Sequence, residues 1–247
     1  MSVEESTYSE MDRAYFNRYA EGYSPYTPED LEVLLADLVA LVRERATGWI
    51  CEIGSADGQF SSALMDYLPE RRALLGVDIA ERVLQRYPFH KLCGSAFQMP
   101  VISGALDVVC FAASLHHLEP FAASLSELSR VLAPGGIVYF LEPNFLHPQR
   151  RFFMTQRGLY HRYRQANDVP VNPLELCTAL QALGIDVLSL RYINLHFRAP
   201  GLLQTVQNTL ARVPWPTWLR PYVMPWFVLI GVKRETTQAL PRGADAA

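Results

Sequence analysis

Residues 51–58, Cys-Glu-Ile-Gly-Ser-Ala-Asp-Gly, place an acidic side chain and two spaced glycines where an apolar run gives way to a helical period. Residues 49–53 are short and apolar, and Phe60, Leu64 and Leu68 then recur at i, i+4 and i+8, so the pattern changes from strand to helix across the glycines. Gly54 and Gly58 are free to take backbone angles closed to other residues, and neither they nor Ala56 fills the space beside the turn with a large side chain. A second apolar run, residues 73–78, ends in Asp78. A carboxylate at that position accepts hydrogen bonds from both hydroxyls of a ribose. Either feature alone reads as an ordinary turn or a surface acid; together, at this separation, they predict a nucleoside-cofactor site.

The elements that must carry these residues alternate between helix and strand patterns, which predicts an α/β fold: a Rossmann-like, seven-stranded, mostly parallel sheet with helices on both faces. Thr27-Pro28-Glu29-Asp30 combines a capping side chain, a proline at the first helical position and an acid three residues after the cap, so a helix starts there with Leu31, Leu34, Leu35, Leu38 and Leu41 on one face. Strands are predicted at 49–53, 73–78, 105–112, 137–141, 187–193 and 226–233, with a weak one near 91–95. Helices are predicted at 58–68, 81–86, along Phe121, Leu125, Leu128 and Leu132, and at 173–183. Ala133-Pro134-Gly135-Gly136 predicts a turn between a helix and the strand that Glu142 and Pro143 end. After Pro143, arginines, aromatics and prolines replace the alternation. Residues 1–234 thus read as one domain: a helical lid region over 1–45, a cofactor-binding core over 46–145, and a substrate-covering insertion with late strands over 146–225. Residues 235–247 are small and polar, the composition of a disordered tail.

Composition narrows the partners. The chain has 247 residues, half of them apolar, and a formal charge of −3. That balance gives no basic footprint for nucleic acid. The polar, acidic start predicts a cytoplasmic protein, and the longest apolar stretch, 221–232, is too short for a membrane span. Cys51, Cys93, Cys110 and Cys177 are scattered as free thiols are. No histidine or carboxylate pair has metal-ligand spacing, so no catalytic metal is expected.

With the glycine turn, Asp78 and the Pro-Gly-Gly turn in hand, the sequence resembles the class I S-adenosylmethionine-dependent methyltransferases, in the small-molecule branch of the methyltransferase-11 type. Four blocks carry the resemblance: Glu52 to Gly58, Gly76-Val77-Asp78, Gly94-Ser95-Ala96-Phe97-Gln98-Met99-Pro100, and Ser114-Leu115-His116-His117-Leu118 leading to Arg130 through Gly136. The resemblance implies S-adenosylmethionine as methyl donor, S-adenosylhomocysteine as product, and no metal. It puts Gly54, Ser55, Ala56 and Gly58 beneath the methionine and ribose, Glu52 near the ammonium group or supporting the turn, Asp78 on the ribose hydroxyls, and Ile79, Ala96 and Phe97 around the adenine. Ser95 stands where an aspartate usually accepts the adenine amino proton, and a hydroxyl still accepts that bond. Ala113 and Tyr19 complete the expected cofactor contacts.

A methyltransferase needs a shaped, dry pocket and a proton acceptor, and imidazole suits the second role. His116 and His117, after the fourth strand, are the candidates, with His147, His161 and His196 in the irregular half as substitutes; the alternative is that the first two hold the turn by hydrogen bonding to backbone. Tyr15, Tyr19 and Tyr23, at i, i+4, i+8 with Phe16 among them, form either a lid or a helix packed on the core. Tyr15, Glu142, His147 and Arg151 are the expected acceptor-facing residues. Arg150, Arg151, Arg157, Arg162 and Arg164, interleaved with Phe152, Phe153, Tyr160 and Tyr163, fit either an anionic or aromatic acceptor or a solvated helix. The tryptophan- and proline-rich run 214–226 reads as a pocket wall or buried loop, with a dimer contact or weak peripheral membrane association as alternatives. The protein is expected as a monomer or homodimer. Two rival functions use the same sheet: a nicotinamide-dependent oxidoreductase, against which the absence of a third spaced glycine speaks, and a non-catalytic protein that only binds the methyl donor or its product.

Overall fold

The computed structural model describes residues 13–14, 16–17, 27–45, 48–68, 70, 72–155, 169, 171–195 and 202–235. Helix α1 (Pro28–Arg45) opens with a reciprocal cap. The Asp30 backbone N–H donates to Thr27 Oγ1 at 3.2 Å, while the Thr27 hydroxyl and N–H both donate to Asp30 Oδ2. Leu34 and Leu35 lie about one turn before Leu38 on its buried face.

The chain then runs β1 (Trp49–Ile53), α2 (Gln59–Tyr67), β2 (Ala73–Asp78), α3 (Glu81–Leu84), β3 (His90–Cys93), β4 (Leu106–Ala112), a 3₁₀ turn (Leu115–His117), α4 (Phe121–Val131), β5 (Leu132–Pro143), α5 (Pro148–Thr155), α6 (Pro173–Ala182), β6 (Ile185–Ile193), α7 (Leu202–Ala211), α8 (Arg220–Val223) and β7 (Trp226–Lys233). The strands form one seven-stranded sheet in the order β3-β2-β1-β4-β5-β7-β6. The pairs from β3 through β5 are parallel, whereas β7 runs antiparallel to both β5 and β6. The carboxyl ends of β1, β2, β4 and β5 therefore share one edge. Strand order reverses between β1 and β4, the point where a doubly wound sheet opens a crevice.

Alternate residues of the central strands feed two apolar layers. Val108, Cys110, Tyr139 and Leu141 pack with α1 and α2 on one face, and Val109, Phe111, Val138 and Phe140 pack with α4 and α6 on the other. Burial on both faces is why these strands read as unbroken apolar runs.

The Ala133–Gly136 segment differs from the expected turn. Leu106 pairs with Leu132 and Val108 with Ile137, so the four residues bulge out within β5, with Gly135 at φ 74°. Arg130 shapes the adjoining loop by donating to the carbonyls of Met99 at 3.0 Å and Val101 at 2.8 Å. Glu127 holds that guanidinium and also accepts from the Met99 N–H, and the arginine keeps the Glu127 carboxyl below the usual carboxylate range.

Candidate active site

Strand β1 delivers Glu52 and Ile53 to the crevice, and the chain turns at once through Gly54 at φ 70°. A Cβ at Gly54 would stand 2.4 Å from the Ser114 side chain, so the turn requires glycine twice, for conformation and for space. The N–H groups of Gly54 and Ser55 both donate to the Val77 carbonyl, which binds this turn to the end of β2. Asp78 completes the join. Its Oδ2 accepts from the Ala56 N–H at 2.8 Å and its Oδ1 from the Ala80 N–H at 2.7 Å. Burial raises the Asp78 carboxyl above its ordinary value, and these backbone donors, with that of Ile79, oppose the rise.

Two non-glycine residues in the left-handed region, Ala56 at φ 45° and Ala113 at φ 59°, both line the cleft. Backbone strain of this kind collects at ligand sites, where neighbouring contacts hold it. Here the Asp78 carboxylate holds Ala56, and the Leu141 carbonyl accepts from the Ala113 N–H at 2.7 Å.

Of the expected cofactor residues, Glu52, Gly54, Ser55, Ala56, Asp78, Ile79, Ser95, Ala96, Phe97 and Ala113 come together as walls of one cleft. The Ser95 hydroxyl accepts from the Phe97 N–H at 3.2 Å, which shapes the loop after β3. Gly58 is not on the cleft wall; its φ is 84°, and a Cβ there would press on the Tyr87 ring at 2.7 Å. Tyr19 and Tyr15 lie outside the described residues, as do Tyr23, His161 and His196. Phe16 lines the cleft and meets the His117 ring edge-on, with centroids 5.1 Å apart.

Glu52 is buried and accepts from the Ser61 N–H at 3.2 Å and from the Ser61 hydroxyl, which itself contacts the Tyr87 hydroxyl at 2.7 Å. Burial lifts its pKa to about 8; the Ser61 hydrogen bonds pull the other way, and the charges of Asp78 and Asp57 add to the rise. A carboxyl raised on folding binds more protons in the native than in the unfolded chain, so its contribution to stability falls as pH rises from about 4.5 to about 8 and is level beyond. Glu52→Gln is expected to remove that slope. Urea midpoints measured from pH 5 to pH 9 should drift less in the variant than in the wild type, and identical drifts would reject the assignment.

The two histidines separate. His117 lines the cleft, whereas His116 is buried behind it with Nδ1 2.6 Å from Glu142 Oε2. Their rings lie 4.0 Å apart between centroids. Glu142 does not face the cleft either. Fully buried at the end of β5, it accepts from the Ser114 N–H at 3.0 Å and the Leu115 N–H at 2.7 Å, fastening the loop after β4. The Ser114 hydroxyl extends the fastening to the Ile53 carbonyl at 2.6 Å.

His147 sits apart from the cleft at the start of α5, buried near Gln207 and Val223, and burial with the charge of Arg150 keeps its imidazole below the usual histidine range. Arg151 is exposed, its guanidinium 6.0 Å from the Phe145 ring, and Arg150 stands 4.8 Å over Trp226. Arg157, Arg162 and Arg164 lie outside the described residues. The cleft also includes residues that the motifs did not single out, among them Gln59 and Val83. Gln59 had a readable signal, directly following the glycine turn; Val83 is brought in only by tertiary packing. Among the described residues, no group of three or more histidine, cysteine, aspartate or glutamate side chains could hold a metal ion, and no helix is long and apolar enough to cross a membrane.

Residues 51–140 match the methyltransferase domain family. The chain is 26% identical over 200 residues to a malonyl-[acyl-carrier protein] O-methyltransferase of Chlorobium luteolum, covering 72% of each protein. It is 30% identical over 113 residues to a demethylmenaquinone methyltransferase of Thermus thermophilus, covering 46% of this chain and 45% of that one. The structure of a geranyl diphosphate C-methyltransferase from Streptomyces coelicolor, solved with Mg2+, geranyl diphosphate and S-adenosyl-L-homocysteine, superposes with a TM-score of 0.61 at 13% identity, over 92% of this chain and 98% of that one. The family match over residues 51–140, the sheet order and the cleft at the carboxyl edge together show that the chain carries an S-adenosylmethionine-dependent methyltransferase domain.

Proposed function

We propose that this enzyme methylates an oxygen, nitrogen or carbon atom of a small organic acceptor, with His117 as the group that takes the acceptor's proton. The observation that carries the reading is a single cleft with the Gly54 turn and Asp78 on one side and His117 with Phe16 on another. Its walls fit the donor: Asp78 is positioned for ribose hydroxyls, Ile79 and Phe97 give apolar surfaces for a purine, and the buried Glu52 would ionise beside an ammonium group, whose charge opposes the burial that raises it. Bound there, S-adenosylmethionine supplies a methyl group made electrophilic by its sulfonium sulfur.

The remaining work belongs to the chain. The loop after β4 fixes His117 through the fastening of its neighbours by Glu142, so the imidazole is held before the acceptor arrives. Apolar walls, including Ile79, Phe97 and Leu118, limit water in the cleft. Imidazole is a side chain chemically suited to accept such a proton. The relatives are named for chemically different acceptors, so an anionic or aromatic acceptor for this chain rests on its own arginines and rings.

The test is transfer of labelled methyl groups from S-adenosylmethionine across a panel of phenols, amines and carboxylic acids. His117→Asn is expected to lower kcat about 100-fold while leaving calorimetric affinity for S-adenosylhomocysteine unchanged. An unchanged rate would show that another group, or none, accepts the proton.

A further inference from the structure

Helix α7 is inside out for a surface helix. Its polar Gln207 is buried and donates to the Val223 carbonyl at 2.6 Å, and Asn208 accepts from Asn194 at 2.8 Å, while Val206 and Leu210 are exposed. Exposed apolar side chains continue with Val213, with Trp218 in the loop before α8, 71% exposed, and with Tyr222 on α8, 53% exposed. The segment expected as a pocket wall or buried loop divides: Arg220 and Met224 line a cavity and the Trp215 indole N–H donates to the Leu210 carbonyl, but Trp218 and Tyr222 stand in solvent. Large apolar side chains exposed in close succession along the chain mark an interaction surface.

Charge indicates the partner. Between Asp186 and Glu235 the sequence has six cations and no acidic residue, although the whole chain carries −3. Arg234 pairs with Asp186, Arg191 with Asp37, and Lys233 donates to the carbonyls of Ser129 and Leu132. Arg212 and Arg220 are in no ion pair among the described residues. They share with Val213 the rim of one cavity of about 390 Å³, which brings both charges and one of these apolar side chains side by side. Asp30, the acid on that cavity, is buried and engaged by Thr27.

Tryptophan and tyrosine beside aliphatic residues and arginines suit a boundary that is apolar on one side, wet on the other, and negatively charged. We propose that the face formed by α7, Trp218, α8 and the two arginines docks this enzyme on an anionic lipid surface. Val206, Leu210 and Trp218 enter the headgroup layer, Tyr222 lies at its level, and Arg212 and Arg220 meet lipid phosphates. Attachment is peripheral and salt-sensitive, because it depends on a shallow apolar face and few charges.

The full-length protein should float with phosphatidylcholine vesicles that contain phosphatidylglycerol, and not with phosphatidylcholine alone, and high salt should release it. Trp218→Ser with Tyr222→Ser, and separately Arg212→Gln with Arg220→Gln, should each weaken partitioning about tenfold. Both pairs should bind S-adenosylhomocysteine as the wild type does, which shows that they are folded and separates this result from any failure of the proposed chemistry. Absence of wild-type flotation, or flotation unchanged by both pairs, would overturn the proposal. So would a wild-type dimer in sedimentation that Trp218→Ser converts to monomer, since the occupant of the face would then be a second copy of the chain.

Discussion

Asp78→Ala is expected to lower affinity for S-adenosylhomocysteine about 100-fold, to the point where calorimetry at ordinary concentrations records no heat. Under the proposed function the carboxylate loses two charge-assisted hydrogen bonds to the ribose, each worth about 1.5–3 kcal/mol. The side chain also does a second job. By accepting from Ala56 and Ala80 it connects the turn after β1 to the turn after β2, so its removal loosens both walls of the cleft. Asp78→Asn separates the two roles, since an amide keeps one acceptor for backbone while weakening the ribose grip. An intermediate loss for asparagine, with an unchanged far-ultraviolet spectrum in both variants, is the expected pattern. Wild-type affinity in Asp78→Ala would remove the nucleoside reading of the cleft.

The second large effect falls on Glu142. Its carboxylate is fully buried, and Glu142→Ala would strand the Ser114 and Leu115 N–H groups and the Nδ1 of His116 together. Leaving such a buried cluster without its acceptor costs about 3–5 kcal/mol, which a urea titration would show as a large fall in midpoint. Glu142→Gln retains an oxygen for the backbone donors but turns an amide toward His116. That variant is expected to fold, bind S-adenosylhomocysteine within about threefold of wild type, and lose about tenfold in kcat as His117 shifts with its neighbour. The split between turnover and product affinity distinguishes positioning of the histidine from general loosening. A Glu142→Ala protein with wild-type midpoint and rate would contradict it.

Much of the sheet was legible because its central strands are buried on both sides. Trp49–Ile53, Ala73–Asp78 and Trp226–Lys233 stand where their apolar runs placed them. The cleft was legible to the extent that main-chain geometry defines it: Gly54 and Asp78 follow from a strand ending at a glycine turn and the next strand ending in an acid. What sequence could not show was direction. His116 and His117 are adjacent, and a 3₁₀ turn sends one to the cleft and the other to Glu142, a partner on another strand. Glu142 was expected to face the acceptor because it ends a central strand, but the loop after β4 has donors that require an acceptor there. The Pro-Gly-Gly run carries every mark of a turn and is taken up as a bulge, since β4 pairs with the chain on both sides of it. Around Trp218, aromatic residues suggest burial by composition, and only the inward placement of Gln207 and Asn208 reveals which face is outside.

Among the described residues, five alanines line the cleft, at positions 56, 80, 96, 112 and 113, and they come from the turns after β1 and β2, the loop after β3, and the end of β4. Each ends in a single methyl rigidly attached to the main chain, with no rotamer of its own. Isotopic labelling of alanine methyls would therefore equip the unmodified enzyme with resonance probes around the bound molecule, able to tell occupancy of the purine end from occupancy beside His117 without a single substitution.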